Sequence, residues 1–248
     1  MDREPFDKSW ILIPKFRCPK CKSGTLLQHG NIVAEETEYS KREFNLDDWE
    51  PEWMTVRFVM LLKCDTPSCG EVITVAGDRR VETFDDWDSH QQHVVEVYYP
   101  HTVVPGPHVF PISPNLSETC KHHLAKAFEL MWTDAAASAN RLRIFVERLM
   151  DQYQIPTEGP SDKDPTKIVE WKLFKRIDEL EKQHPGHKDA FTALRHVGNE
   201  ASHMGQAKRE TLLDCFEILE DALNDLVDSK KQKISQLTQS LIASKGKK

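Results

Sequence analysis

Four cysteines stand as two close pairs, Cys18-Pro19-Lys20-Cys21 and Cys64-Asp65-Thr66-Pro67-Ser68-Cys69. Thiolate sulfur is a good zinc ligand, and a tight turn between paired cysteines points both sulfurs at one place. Two such turns on neighbouring hairpins complete a tetrahedron with Zn–S distances of about 2.3 Å. Pro19, Pro67 and Gly70 supply the turn chemistry. Four thiolates leave no coordination position open to a substrate. The pattern therefore predicts one structural Zn2+ per chain, held by Cys18, Cys21, Cys64 and Cys69, and not a catalytic ion. The plain alternative is four unrelated reduced thiols. A redox role for the first pair fits less well, because a second pair stands at ligand spacing and no βαβ pattern surrounds the first. Cys120 and Cys215 lie amid apolar residues and read as buried small hydrophobes.

The second group with chemistry lies in Leu194-Arg195-His196-Val197-Gly198-Asn199-Glu200-Ala201-Ser202-His203. Gly198 disfavours an unbroken helix, and Asn199 is a strong N-cap residue. A helix starting at Asn199 would put His203 in its first turns, where backbone N–H groups favour an anion such as phosphate. A helix that continued through Gly198 would instead bring His196, Asn199 and His203 within about 60° of one another on one face. Histidine trades protons near neutral pH, and an amide or guanidinium can hold an oxyanion. The competing reading is a histidine and an asparagine that fix a helix–helix junction by hydrogen bonds.

The elements that must position these residues change character along the chain. The first hundred residues look β-rich. Residues 57–63, 71–76 and 93–99 are short, partly β-branched apolar runs, bounded by Asp65, Pro67, Gly70, Gly77 and Pro100. The 42 residues between Cys21 and Cys64 exceed what a minimal zinc ribbon needs and imply an inserted loop or hairpin. Five prolines between 100 and 114 predict an extended crossing. Beyond it the pattern is helical, with Asn115 and Ser117 as cap candidates and a possible break near Thr133 and Asp134 within 120–150. Ile168, Trp171, Phe174, Ile177 and Leu180 suggest one helix stripe, residues 188–197 a further helix, and 209–241 a last long one. The expected fold class is α+β: a β-rich zinc-ribbon module over 1–111, then an antiparallel helical bundle over 112–248.

Charge narrows the partners. The net charge is −7, made of −7 over residues 1–111, −6 over 112–229 and +6 over a tail with six lysines and no acid. A broad nucleic-acid footprint would need a basic face, and the total offers none; the tail lysines read first as a solvated end. No apolar run nears the roughly 20 residues of a membrane span. The charged N-terminus lacks a signal-like segment, so the expected location is cytoplasmic, with no membrane partner. Trp49, Trp53 and Trp87 stand among acidic residues, where tryptophan more often pins a loop than docks a partner. His90, His93, His101 and His108 match no standard metal spacing.

Taken in order, Cys18-Pro-Lys-Cys21, the second cysteine pair, Tyr99-Pro100, the proline-rich crossing, Arg143-Ile-Phe-Val-Glu147 and Gly198-Asn199-Glu-Ala-Ser-His203 resemble the domain of unknown function 4145 family, over about residues 15 to 228. That family in turn resembles the HEPN superfamily of helical domains, many of them metal-independent endoribonucleases of antiviral defence or toxin–antitoxin systems. Their signature is an arginine, four to six residues, then a histidine, often written Arg-Asn-x-x-x-His. Asn199 and His203 match it; Gly198 stands at the arginine position, and Arg195 lies further upstream. The resemblance implies Arg195, Asn199 and His203 as catalytic residues, with His203 as general acid or base on the ribose 2′-hydroxyl or leaving oxygen. Arg195 and Asn199 would then steady phosphate charge. It also implies a homodimer, RNA as ligand, and a zinc module that recognises RNA or a partner protein. The competing function is a catalytically inactive module that binds protein or nucleic acid. Arg143 and Glu147, one helical turn apart, read first as an ion pair.

Overall fold

A strand half-covered by a core alternates, and residues 55–64 do so without a break: Val56, Phe58, Met60 and Leu62 are buried while Arg57, Val59, Leu61 and Lys63 are exposed. The computed structural model, which describes residues 2–86 and 91–244, is α+β. Five strands form one antiparallel sheet in chain order: β1 (Phe16–Arg17), β2 (Thr25–Glu36), β3 (Thr55–Cys64), β4 (Val72–Asp86) and β5 (Gln91–Val104). Helix α1 (Glu38–Glu43) and a 3-10 turn at Pro51–Trp53 lie in the connection between β2 and β3. Much of the wide spacing between the cysteine pairs is thus two long strands, and β2 is one that its mixed polar sequence concealed. β5 does not stop at Pro100. It runs on to Val104, with a register shift where Gly77 meets Pro100. A shift of this kind is where a strand tolerates a residue that cannot donate.

The chain divides into two compact units, residues 2–109 with 128–133, and residues 110–127 with 134 onward. In the first unit Phe6, Trp10, Phe16 and Trp132 are buried together, their rings meeting edge to face at 5.5–6.1 Å except for the tilted pair Phe6–Trp132 at 6.2 Å. Trp10 also exchanges two backbone hydrogen bonds of 2.8 Å with Tyr98.

The helices are α2 (Glu118–Thr133), α3 (Ala135–Gln152), α4 (Leu173–Gln183), α5 (Lys188–Met204), α6 (Arg209–Leu226) and α7 (Lys230–Ala243). Ser117 accepts from the N–H of Cys120, and Asp134 from that of Ala137, so the break near Thr133 is a capped helix start. Two expectations change. The stripe from Ile168 to Leu180 is not one helix: Ile168 belongs to strand β7 (Ile168–Glu170), which pairs with β6 (Glu158–Pro160). Residues three apart drift about 60° per step, so five of them cannot share a face. The helix that does form buries Leu173, Ile177 and Leu180, and leaves Phe174 exposed. The last helix is likewise two, parted at Val227–Ser229, and among the described residues α7 buries nothing. Trp87, Asp88, His90 and the tail lysines Lys245, Lys247 and Lys248 lie outside the described residues. No helix of the described residues is long and apolar enough to cross a membrane.

Candidate functional site

The pairing of Leu26 with Cys64 brings the β1–β2 turn and the β3–β4 turn to the same end of the sheet. In the first turn the N–H of Lys22 donates to Cys18 and that of Cys18 to Gly24. In the second the N–H groups of Cys69 and Gly70 donate to Thr66. Thr25 and Asp65 tie the two turns together, N–H to Oδ1 at 2.8 Å and N–H to O at 3.0 Å. The four sulfurs then lie within 4.8 Å of one another. Cys18 and Cys69 are 3.7 Å apart, Cys21 and Cys64 3.6 Å. These are not disulfides; all six cysteines are free thiols. A tetrahedron with Zn–S bonds of about 2.3 Å has edges of about 3.8 Å, so the donor set fits a metal ion of that size.

Two details support the fit. A Cβ on Gly24 would stand 2.4 Å from the Cys64 sulfur, so the turn leaves no room for a side chain beside the cluster. Backbone N–H groups of Gly24 and Ser23 hold the Cys21 thiol down at about 5, while burial pushes Cys18 up to about 12. A thiolate next to a neutral buried thiol is an arrangement that a cation resolves. Cys120 and Cys215 are both buried, and burial raises both thiols, Cys215 to about 11.

In the helical unit, α5 runs without a break through Gly198 to Met204. Asn199 is therefore not an N-cap. His203 lies in the last turn, where the helix presents carbonyls and not the free N–H groups of a helix start. The reason Gly198 sits inside a helix is packing. A Cβ there would stand 2.6 Å from Arg143 Cβ and 2.9 Å from the Ala139 carbonyl oxygen on α3. The glycine at the pattern's arginine position is thus a point of close approach between α3 and α5.

Beside this contact a cleft of about 500 Å³ opens, lined by Arg143, Glu147, Phe174, Arg176, Arg195 and Asn199 among others. Arg143 donates to Glu147 at 2.6 Å, as the one-turn spacing predicts. The buried Arg176 donates to Asp151 Oδ1 at 2.7 Å and to the Ile155 carbonyl at 2.9 Å. Arg195 has no carboxylate partner among the described residues. Its guanidinium carbon lies 5.9 Å from the centre of the Phe174 ring, and its Nη2 lies 2.9 Å from His196 Nε2. The structure therefore brings Arg195 and Asn199 to one cleft. His203 is exposed and does not line it; eight residues of helix put it about 12 Å along the axis from Arg195. Nothing in the local sequence marks Arg176 or Phe174 as a cleft residue: Arg176 belongs to no motif, and the spacing of Phe174 reads as a core stripe.

Residues 4–104 match a family described as Domain of unknown function (DUF8608), and residues 125–241 match one described as Domain of unknown function (DUF4145). The likeness read from the sequence over residues 15 to 228 is thus carried by the helical part, and the sheet part matches a family of its own. No curated protein and no solved structure matches the chain.

Proposed function

From the premise that residues 125–241 belong to the family of domain of unknown function 4145, we propose that the chain is a HEPN-like RNA-directed effector. Its helical unit engages RNA along α5, with Arg195 and Asn199 on a phosphate and His203 further along the helix near the reacting ribose, and its sheet is stapled by one zinc ion. The observation that carries the reading is Arg195. It is a cation lining the cleft with no carboxylate partner among the described residues, on the same helix as Asn199 and His203. A guanidinium and an amide at this position would hold a phosphodiester by charge-assisted hydrogen bonds. His203 is solvent-exposed, so it is free to exchange a proton with a ribose hydroxyl or leaving oxygen. One copy supplies one histidine. A homodimer meeting on the exposed face of α5 would supply two, one as base and one as acid. Four thiolates close the zinc site to chemistry, so the sheet unit's part is recognition of RNA or of a partner protein.

A second reading is favoured by Gly198. The tight contact with α3 excludes the arginine that the family resemblance would put there, which supports phosphate binding without turnover. Incubating the purified chain with single-stranded and structured RNA, beside His203→Ala, separates the two. Cleavage by the wild type and a loss of at least a hundredfold in the variant is the outcome expected of an enzyme. Binding of equal strength by both proteins, with no cleavage by either, assigns the module to binding. No binding at all by the wild type sinks both.

A further inference from the structure

The residues of α7 do little to hold it as a helix on its own. It is 14 residues long, Ser229 at its start makes no side-chain cap bond, and its first turn carries Lys230, Lys231 and Lys233 with no acid. Cations at a helix N-terminus oppose its dipole, and isolated helices shorter than about 12–15 residues are marginal in water. Yet α7 turns an apolar stripe outward. Ile234, Leu237 and Leu241 fall within about 60° of one another on one face, and they are 54%, 52% and 49% exposed. Among the described residues this helix buries nothing. Most helical stability in proteins comes from packing an amphipathic face, and α7 lacks that contact within the single chain.

The neighbouring helix carries the complement. α6 holds six acids against the single base Arg209, so its sign is opposite to that of α7. Its core side is Leu212, Phe216, Leu219 and Leu223. Asp214, Glu217, Ile218 and Asp221 lie on the opposite face and are exposed, so an isoleucine stands in the middle of an acidic strip. A groove of about 460 Å³ runs between the two helices, lined by Asp221, Asn224, Asp225, Lys231 and Ile234 among others. The pairing chemistry already operates at its floor, where Lys231 Nζ lies 2.9 Å from Asp225 Oδ2. Leu237 and Leu241 do not line the groove, so α7 does not lay its stripe on its own α6.

We propose that α6 and α7 form a self-association surface, in which α7 of one copy lies along the acidic face of α6 in a second copy. Twofold symmetry makes the same contact twice, since each copy gives one α7 and receives one. The lengths agree: Ile234 to Leu241 and Asp214 to Asp221 are each seven residues, about 10.5 Å of helix. The apolar stripe then covers Ile218 and the groove, while Lys230 and Lys233 meet carboxylates. Acids brought to the start of α7 also offset the adverse dipole there. An anionic lipid surface would attract the lysines too, but the acids of the adjoining α6 would be repelled by it. The contact is independent of the RNA reading and uses helices other than α5.

The test is analytical sedimentation of the full chain, treated with nuclease. The wild type is expected to be dimeric at about 100 μM and to dissociate more readily as salt is raised. Leu237→Asp with Leu241→Asp is expected to be monomeric at that concentration with unchanged tryptophan fluorescence, because α7 buries nothing within one chain. Lys230→Glu with Lys233→Glu, and separately Asp214→Lys with Asp221→Lys, are each expected to raise the dissociation constant about tenfold or more. An equimolar mixture of the two charge variants is expected to regain wild-type association, because in the mixed pair both contacts again join opposite charges. A wild type larger than a dimer that falls to a dimer in the α7 leucine variant supports this contact beside one on α5. A wild type that is monomeric at about 100 μM overturns the proposal. So does a dimer that the α7 variants leave unmoved, which leaves the α5 contact standing. Charge variants that fail to rescue each other overturn α6 as the partner. A monomer that binds vesicles of phosphatidylcholine and phosphatidylglycerol through Leu237 assigns α7 to lipid and overturns the second copy.

Discussion

The cysteine cluster and the helical cleft are built on the same device and put it to opposite ends. In each, a glycine lets two elements come closer than any side chain would allow: Gly24 against the Cys64 sulfur, Gly198 against Arg143 and Ala139. At the cluster the approach closes the site. Four sulfurs face one another at metal-ligand distance, and an ion held by all four would have no position left for a further ligand. At the cleft the approach fixes one wall of a site that stays open, lined by Arg195, which has no carboxylate partner among the described residues. On the proposed reading, chemistry is to be sought on the helices, while the sheet contributes shape.

The largest test of that contrast is to remove the metal. Cys64 closes the tetrahedron from the last residue of β3 and is buried. Structural zinc contributes about 10–16 kcal/mol of apparent binding free energy in small peptides, enough to decide whether a small sheet unit folds. Elemental analysis is expected to find about one zinc per wild-type chain and almost none in Cys64→Ser. The variant, or the wild type with a strong chelator, is expected to lose its sheet signal and its cooperative melt in circular dichroism. A wild-type chain that melts cooperatively and holds no metal would break the comparison at its first term.

The second test acts on Gly198. An alanine there must push Arg143 or the Ala139 backbone aside, and backbone inside a helix yields little. Overpacking of this kind costs about 1–3 kcal/mol, read as a lower urea midpoint with an unchanged slope. Gly198→Arg, which writes the family-like arginine into the helix, is expected to destabilise more and to restore no ribonuclease activity. A Gly198→Arg chain as stable as the wild type would show that the contact between α3 and α5 is looser than a Cβ distance of 2.6 Å to Arg143 implies.

The same two sites show what a sequence discloses. The cysteines were legible because their chemistry depends on short spacing, Cys18 to Cys21 and Cys64 to Cys69, and short spacing survives any fold. β3 was legible from its alternation, and the helix break from Asp134. The cleft was not, because its members meet only through packing. Arg143 and Glu147 come from α3, Phe174 and Arg176 from α4, Arg195 and Asn199 from α5. Gly198 misled for a related reason: local propensity marks glycine as a helix breaker, and a tertiary contact overrode it. Ile168, Trp171 and Phe174 mimic a helix stripe because a spacing of three nearly, but not wholly, repeats a helix face.

The smallest test concerns how α5 itself is anchored. His187, at its N-cap position, makes no side-chain cap bond. Glu181 does the capping from α4 instead: its carboxylate accepts from the N–H groups of Gly186, His187 and Lys188 at 2.7–2.9 Å. Those bonds, first the one from Gly186, hold the Glu181 carboxyl below its ordinary value of 4.5. A carboxyl depressed in the folded state adds stability that is fully present above its unfolded value and is lost as pH falls through the folded one. Glu181→Gln is thus expected to cost about 1 kcal/mol at pH 7, the size of a lost cap. Urea midpoints of the two proteins are expected to converge as pH is lowered below 4.5, where the wild-type carboxyl also takes up its proton. A gap that stays constant down through this range would mean that the Glu181 charge does not hold the start of α5, and that the frame of the cleft is set by the contact with α3 alone.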